Sequence, residues 1–179
     1  MLISEKLLVK SAKNGSKKAF ELLIKKYTTP VYGLLVDMTK NIHDAEDLTQ
    51  DTFSKAFRRL NNFKEKSKFS TWIYRIAYNT AIDFLRKKNR EIPTDWSDRN
   101  NIDKLKWEPK EYSDKNELIN QALHTLTVNQ RSVVSLHYYQ DMKLTEIAQI
   151  MDCAESTVRV RLFRALKKLK NSLRDLKYD

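Results

Sequence analysis

The sequence predicts an all-α protein built from two small helical domains. Three observations carry that expectation. Only two Gly and three Pro occur in 179 residues, too few turn-formers for a sheet-rich chain. Apolar residues recur at three- and four-residue steps through most of the length. That periodicity fails over 91–113, EIPTDWSDRNNIDKLKWEPKEYS, where Pro93 and Pro109 bracket polar, unperiodic sequence. This stretch reads as a linker between a domain at 1–90 and a domain at 114–179. Trp96 and Trp107 within it suit either a docked linker or stray packed rings.

The helices follow in order. Ser4 to about Lys13 forms the first, stopped by Asn14-Gly15. Ser16 caps a second, which carries Phe20, Leu23, Ile24, Tyr27, Val31, Leu34, Leu35 and Met38 on one stripe. Pro30 inside it is expected to kink or interrupt it. A third spans 44–60, and NNFKEKSK (61–68) is a polar loop. A fourth spans 70–88, and in the second half helices are expected at 114–126, 128–139, 143–151 and 155–174.

The fourth helix has two stripes. Ile73, Ile76, Ala77, Thr80, Ala81, Phe84 and Leu85 form a core face, while Arg75, Asn79, Asp83 and Arg86 run down another side. Trp72 and Tyr74 stand at its start, and Arg86, Lys87, Lys88 and Arg90 at its end. Rings that stack, amides that read base edges and cations that hold a backbone suit single-stranded nucleic acid. The competing reading makes the rings boundary residues and the cations dipole partners.

In the second half, LTEIAQIM (144–151), a turn at Asp152-Cys153-Ala154 and a long helix from Glu155 have the layout of a helix-turn-helix. Val158, Leu162, Ala165, Leu166, Leu169 and Leu173 make its buried stripe. Ser156, Thr157, Arg159, Arg161, Arg164, Lys167 and Lys168 lie on the other side. Residues near the start of such a helix reach base edges, and later cations grip phosphates. Small Ala148 lets the two helices approach closely. Cys153 suits a half-buried filler of the turn.

Asp44, Asp47 and Asp51 share one face of the third helix at i, i+3 and i+7, beside Glu46, Thr49, Gln50 and Phe53. Helix-dipole acids, a divalent-metal site and a docking face for a basic protein are all open readings. No His or distant acidic motif completes a metal cage, and no phosphate loop or nucleophile motif marks an enzyme. The net charge of +11 calls for a polyanion. No apolar run reaches a bilayer's span, the N-terminus lacks a secretory pattern, and one cysteine fits a cytoplasmic chain.

AEDLTQDTF (45–53), FSTWIYRIAYNTAIDFLRK (69–87) and EIAQIMDCAESTVRVRLFRAL (146–166) together resemble bacterial sigma factors of the sigma-70 family. The first two resemble region 2 and the third region 4. The two-domain length is similar to that of the extracytoplasmic-function (ECF) group. The resemblance implies a subunit, without a cofactor or catalysis of its own, that joins core RNA polymerase and directs it to promoters under stress or envelope signals. It implies that Asp44, Glu46, Asp47, Gln50 and Asp51 meet the polymerase clamp helices, with the flap as a second contact. It implies that Asn62, Phe63, Lys64, Lys66, Ser67, Lys68, Trp72, Tyr74, Arg75 and Asn79 capture unstacked −10 bases. Arg86, Lys87 and Lys88 would hold the nearby backbone. Glu155, Ser156, Thr157, Arg159, Val160, Arg161, Arg164 and Lys168 fall on the −35 helix. Many members are held by an anti-sigma factor; no residue here identifies one. Val128, Lys143, Ser156 and Val160 depart from the family pattern, and with Lys143 in the usual cap position Asp141 is expected to cap the 144–151 helix. The alternative is a free-standing helix-turn-helix regulator, which would bind duplex DNA without polymerase.

Overall fold

The computed structural model describes residues 4–91 and 121–175. Four helices fill the first stretch: α1 (Glu5–Lys13), α2 (Lys17–Thr39), α3 (Ile42–Arg59) and α4 (Phe69–Glu91), with a 3-10 turn at Leu60–Asn62. In the second stretch, a helical turn at 121–124 is followed by α5 (Val128–Val134), a π-helical segment (Ser135–Tyr139), α6 (Leu144–Met151) and α7 (Glu155–Asp175). The expected linker over 91–113 and the start of the expected 114–126 helix lie outside the described residues, apart from Glu91 at the end of α4.

Local chemistry sets the boundaries. Gly15, at φ 91°, takes the left-handed turn that ends α1, and Ser16 Oγ accepts from the Ala19 amide at 3.2 Å to start α2. Asn41 caps α3 by accepting from the Asp44 amide at 3.0 Å. Thr127 and Gln130 close a reciprocal capping box on α5.

Three expectations need correction. Pro30 does not interrupt α2, which runs unbroken to Thr39. Tyr27, Val31, Leu34 and Leu35 are buried on both sides of it, so core packing holds the helix through the missing amide. The helix expected over 128–139 turns π-helical at Ser135. Asp141 is not the cap of α6. The cap position is Lys143, whose backbone N–H donates to Glu146 Oε2 at 3.0 Å.

The two halves share one core. Leu23, Leu34, Leu35, Met38, Ile73 and Leu85 from α2 and α4 belong to the same buried cluster as Val133, Leu136, Ile147 and Ile150. Helix α2 packs on α5, and α4 packs on α6. A smaller cluster of Leu126, Val134 and Ala165 sits between α5 and α7. Of the expected core stripe on α4, Ile73, Ile76, Ala77, Thr80, Ala81 and Leu85 are buried and Phe84 is half-buried.

Candidate nucleic-acid interface

Helices α3 and α4 pack side by side, and their outer edges leave a groove of about 340 Å³. Lys55 and Arg59, one turn apart on α3, form one wall. Trp72, Arg75, Ile76, Asn79, Thr80 and Asp83 of α4 form the other. Three cations thus face one carboxylate around an indole edge and an amide. Lys55 Nζ donates to Thr80 Oγ1 at 3.1 Å, tying the walls together.

Trp72 is half-buried because its ring packs on Phe63 and Phe69, at 5.1 and 5.4 Å between centroids. The aromatic cluster fixes the indole's position while leaving part of it in the groove. A preset ring loses little freedom when a base stacks on it.

The structure brings Trp72, Arg75 and Asn79 together as expected, and separates other residues of that set. Phe63 is buried at 4% exposure and meets Phe69 edge-on. It supports Trp72 and is not itself a free platform. Tyr74 is buried at 3% exposure, edge-on to Tyr27, and its hydroxyl donates to Gln140 Oε1 at 2.7 Å. The spacing missed this because Tyr74 points to the side of α4 that α6 covers. Burial pushes its phenol pKa well up, so it stays a donor. Asn62, Lys64 and Lys66 are exposed and Ser67 half-buried in the loop before α4. Lys68 pairs with Glu146 at 2.9 Å. Arg86 and Lys87 are exposed. Lys88 pairs with Asp44 at 2.7 Å and lies over the Phe84 ring.

Lys55 and Arg59 are the groove residues the sequence reading did not single out. Their i, i+4 spacing puts them on one face of α3, but only the α3–α4 packing turns that face toward Asn79 and Thr80.

On the acidic face of α3, Glu46, Asp47, Gln50 and Asp51 are exposed, whereas Asp44 is half-buried against Lys88. Among the described residues no group of three or more His, Cys, Asp or Glu side chains is placed to hold a metal. Among them, too, no helix is long and apolar enough to cross a membrane.

The helix-turn-helix has the expected order of short helix, turn and long helix, but of the expected buried stripe on α7, Leu166 and Leu173 are exposed and Leu162 and Leu169 only half-buried. Ala148 is buried, and Asp152 takes the left-handed conformation at the end of α6. Along α7, Ser156, Arg159, Val160, Arg164 and Lys168 are exposed, and Glu155, Thr157 and Arg161 are half-buried. Val158 and Ala165 face the core. Arg159 is held by Glu155 at 2.7 Å one turn earlier. Cys153 is half-buried in the turn, with Arg161 Nη1 3.6 Å from its sulfur. Lys168 Nζ donates to the Thr125 carbonyl at 2.8 Å, which draws that cation back along the domain.

Comparison with known proteins matches this architecture. Residues 23–91 match the model of Sigma-70 region 2, and residues 116–169 match that of Sigma-70, region 4. The chain is 32% identical to the ECF RNA polymerase sigma-E factor of Haemophilus influenzae over 97% of both chains. It is also 32% identical to the ECF RNA polymerase sigma factor SigW of Bacillus subtilis, over 94% of this chain and 96% of that one. Among solved structures, CnrH in complex with the cytosolic domain of CnrY superposes with a TM-score of 0.72 at 22% identity, covering 96% of this chain and 97% of that one. The sigma factor RpoE of Bartonella quintana, solved with the anti-sigma factor NepR, gives 0.71 at 24% identity, covering 88% and 98%. These two likenesses bear on the fold. The chain belongs to the sigma-70 family of RNA polymerase sigma factors, in its extracytoplasmic-function group.

Proposed function

We propose that this sigma factor works without catalysis of its own, by directing binding energy at an opened promoter strand. The observation that carries the reading is the α3–α4 groove, where Trp72, Asn79 and a ring of cations present a stacking surface, a hydrogen-bonding amide and backbone contacts together. Unstacking a base costs a few kcal/mol, and stacking on a protein ring returns about 1–3 kcal/mol per base. Capture of the −10 strand thereby stabilises the melted state without ATP.

In this reading Trp72, Arg75 and Asn79 hold −10 bases. Asn62, Lys64, Lys66, Ser67, Lys68, Arg86 and Lys87 line the strand's path, and Lys55 and Arg59 join them across the groove. Phe63 and Tyr74 act from beneath as supports. Ser156, Thr157, Arg159, Val160 and Arg161 read duplex −35 DNA, with Arg164 and Lys168 on phosphates. Glu46, Asp47, Gln50 and Asp51 dock on the polymerase clamp helices, and the second domain, 114–179, meets the flap. The protein acts in the cytoplasm. An anti-sigma factor, as bound to the Bartonella neighbour, is a further proposed partner.

The acidic face is tested by Asp47→Lys. Asp47 is exposed, so the change should leave folding within about 0.5 kcal/mol of wild type while abolishing co-purification with core polymerase. Normal co-purification of the variant would refute the assignment.

A further inference from the structure

Two apolar side chains interrupt the polar outer side of α7. Phe163 is 68% exposed, the most open large apolar side chain among the described residues, and Val160 is 48% exposed. Single apolar residues scattered over a surface are ordinary, but this pair is placed. Ser156, Arg159, Val160, Phe163, Arg164 and Lys167 follow at three- and four-residue steps and are all exposed, so they form one outer stripe of the helix. Val158 and Ala165, fully buried, mark the opposite side. The apolar pair therefore sits in the middle of the stripe, with Arg159 before it and Arg164 and Lys167 after it.

That setting defines what the pair meets. Cations on both sides call for a polyanion, and α7 is the second helix of the helix-turn-helix, the one that enters the major groove of duplex DNA. Neither Val160 nor Phe163 carries a hydrogen-bonding group in its side chain, so neither reads a base edge by polar contact. The one apolar group that a base pair presents in the major groove is the C5-methyl of thymine. Three residues of helix advance about 4.5 Å along the axis, close to the roughly 3.4 Å from one base to the next. The two side chains are thus spaced to meet two adjoining base pairs.

We propose, on the reading of α7 as the −35 helix, that Val160 and Phe163 select thymine over cytosine at two adjoining base pairs of that element by packing on the C5-methyl groups. Ser156 and the flanking cations hold the helix in the groove, and the apolar pair supplies discrimination that none of them can. Cytosine at either position leaves an apolar side chain against a base edge with no methyl to cover it. Val160 is one of the positions at which this chain departs from the family pattern, so this part of the preference belongs to this chain.

The test changes the DNA and leaves the protein whole. Full-length protein with core polymerase is assayed by run-off transcription at limiting template, on a promoter whose upstream element has been mapped. Each thymine of that element is replaced in turn by deoxyuridine, which removes only the methyl. Loss of one buried methyl should lower output about fourfold at two adjoining base pairs and change it little elsewhere. Phe163→Ala should abolish the deoxyuridine effect at one of the two positions, and Val160→Ser at the other. Phe163→Leu, which keeps an apolar contact, should retain the response. Both side chains are exposed, so the circular dichroism and melting temperature of the variants should match wild type. Deoxyuridine without effect at every position would overturn the proposal, as would an effect of equal size in wild type and both variants. Loss of polymerase binding in Phe163→Ala or Val160→Ser, with the deoxyuridine response intact, would overturn it in favour of an apolar protein partner on this stripe. No start site with any form would count against the sigma-factor reading; the same replacement in duplexes that the full-length chain selects by itself would then decide the methyl contact by the same criteria.

Discussion

Replacing Trp72 with Ala should separate two roles of one side chain. The ring is half-buried on Phe63 and Phe69. A fully buried Trp→Ala change costs about 3–5 kcal/mol, so half that contact predicts a loss of about 2 kcal/mol. In a chain of this size the melting temperature should fall by roughly 4–8 °C. Below that transition the variant remains folded, and the second cost becomes visible. Loss of one stacked base at about 1–3 kcal/mol predicts an affinity for the opened strand that is about 5- to 150-fold lower. The assay is run-off transcription at limiting promoter, with folded fractions matched by circular dichroism. Trp72→Phe, which keeps a stacking ring, should recover most of the output. Wild-type output from folded Trp72→Ala would refute the stacking argument and leave Trp72 as a boundary residue of the aromatic cluster.

Other variants test the remaining surfaces. Arg161→Ala should reduce transcription that depends on the −35 element while sparing folding, measured on templates with that element intact or scrambled; equal output at limiting DNA would reject the assignment. Leu136 is fully buried where the π-helical segment meets the core, so Leu136→Ala should cost about 2–5 kcal/mol in urea unfolding. His124 should make folding weaken toward acid. Burial, followed by the cations Lys40 and Arg131, lowers its pKa from 6.5 to about 4. The stability that comes from the neutral ring is present above pH 6.5 and lost as pH falls toward 4. Burial raises Asp37 in the opposite sense, against the pull of Ser135 and Arg131. The comparison is therefore wild type against His124→Gln, and their difference should shrink from pH 7 to pH 4. A constant difference would show that His124 does not titrate on folding.

Most of the helix plan was legible because apolar spacing and caps agree locally. Ser16, Gly15 and the core stripe of α4 required no tertiary knowledge. Tertiary effects decided the rest. Pro30 reads as a kink or an interruption, yet the core packing of Tyr27 and Val31 carries α2 through it without interruption. Lys143 offers no side-chain acceptor at the cap position of α6, and Glu146 supplies the bond from the other end by accepting from the Lys143 amide. For the site, Trp72, Arg75 and Asn79 were legible from helical period, whereas Lys55 and Arg59 depend on how α3 packs on α4. Tyr74 and Phe63 misled because aromatic residues beside a basic helix look alike whether they face solvent or core. The closing of the second half on the first leaves no local trace, since Gln140, Asn129 and Asp152 are ordinary polar residues until α5 and α6 dock on α4.

The most direct test of the central claim is run-off transcription from genomic fragments with purified core RNA polymerase, with and without this protein. The account predicts discrete start sites that appear only when the protein is added, preceded by two shared sequence elements. No new starts, with tight binding of the isolated protein to duplex DNA, would contradict it and favour a free-standing helix-turn-helix regulator.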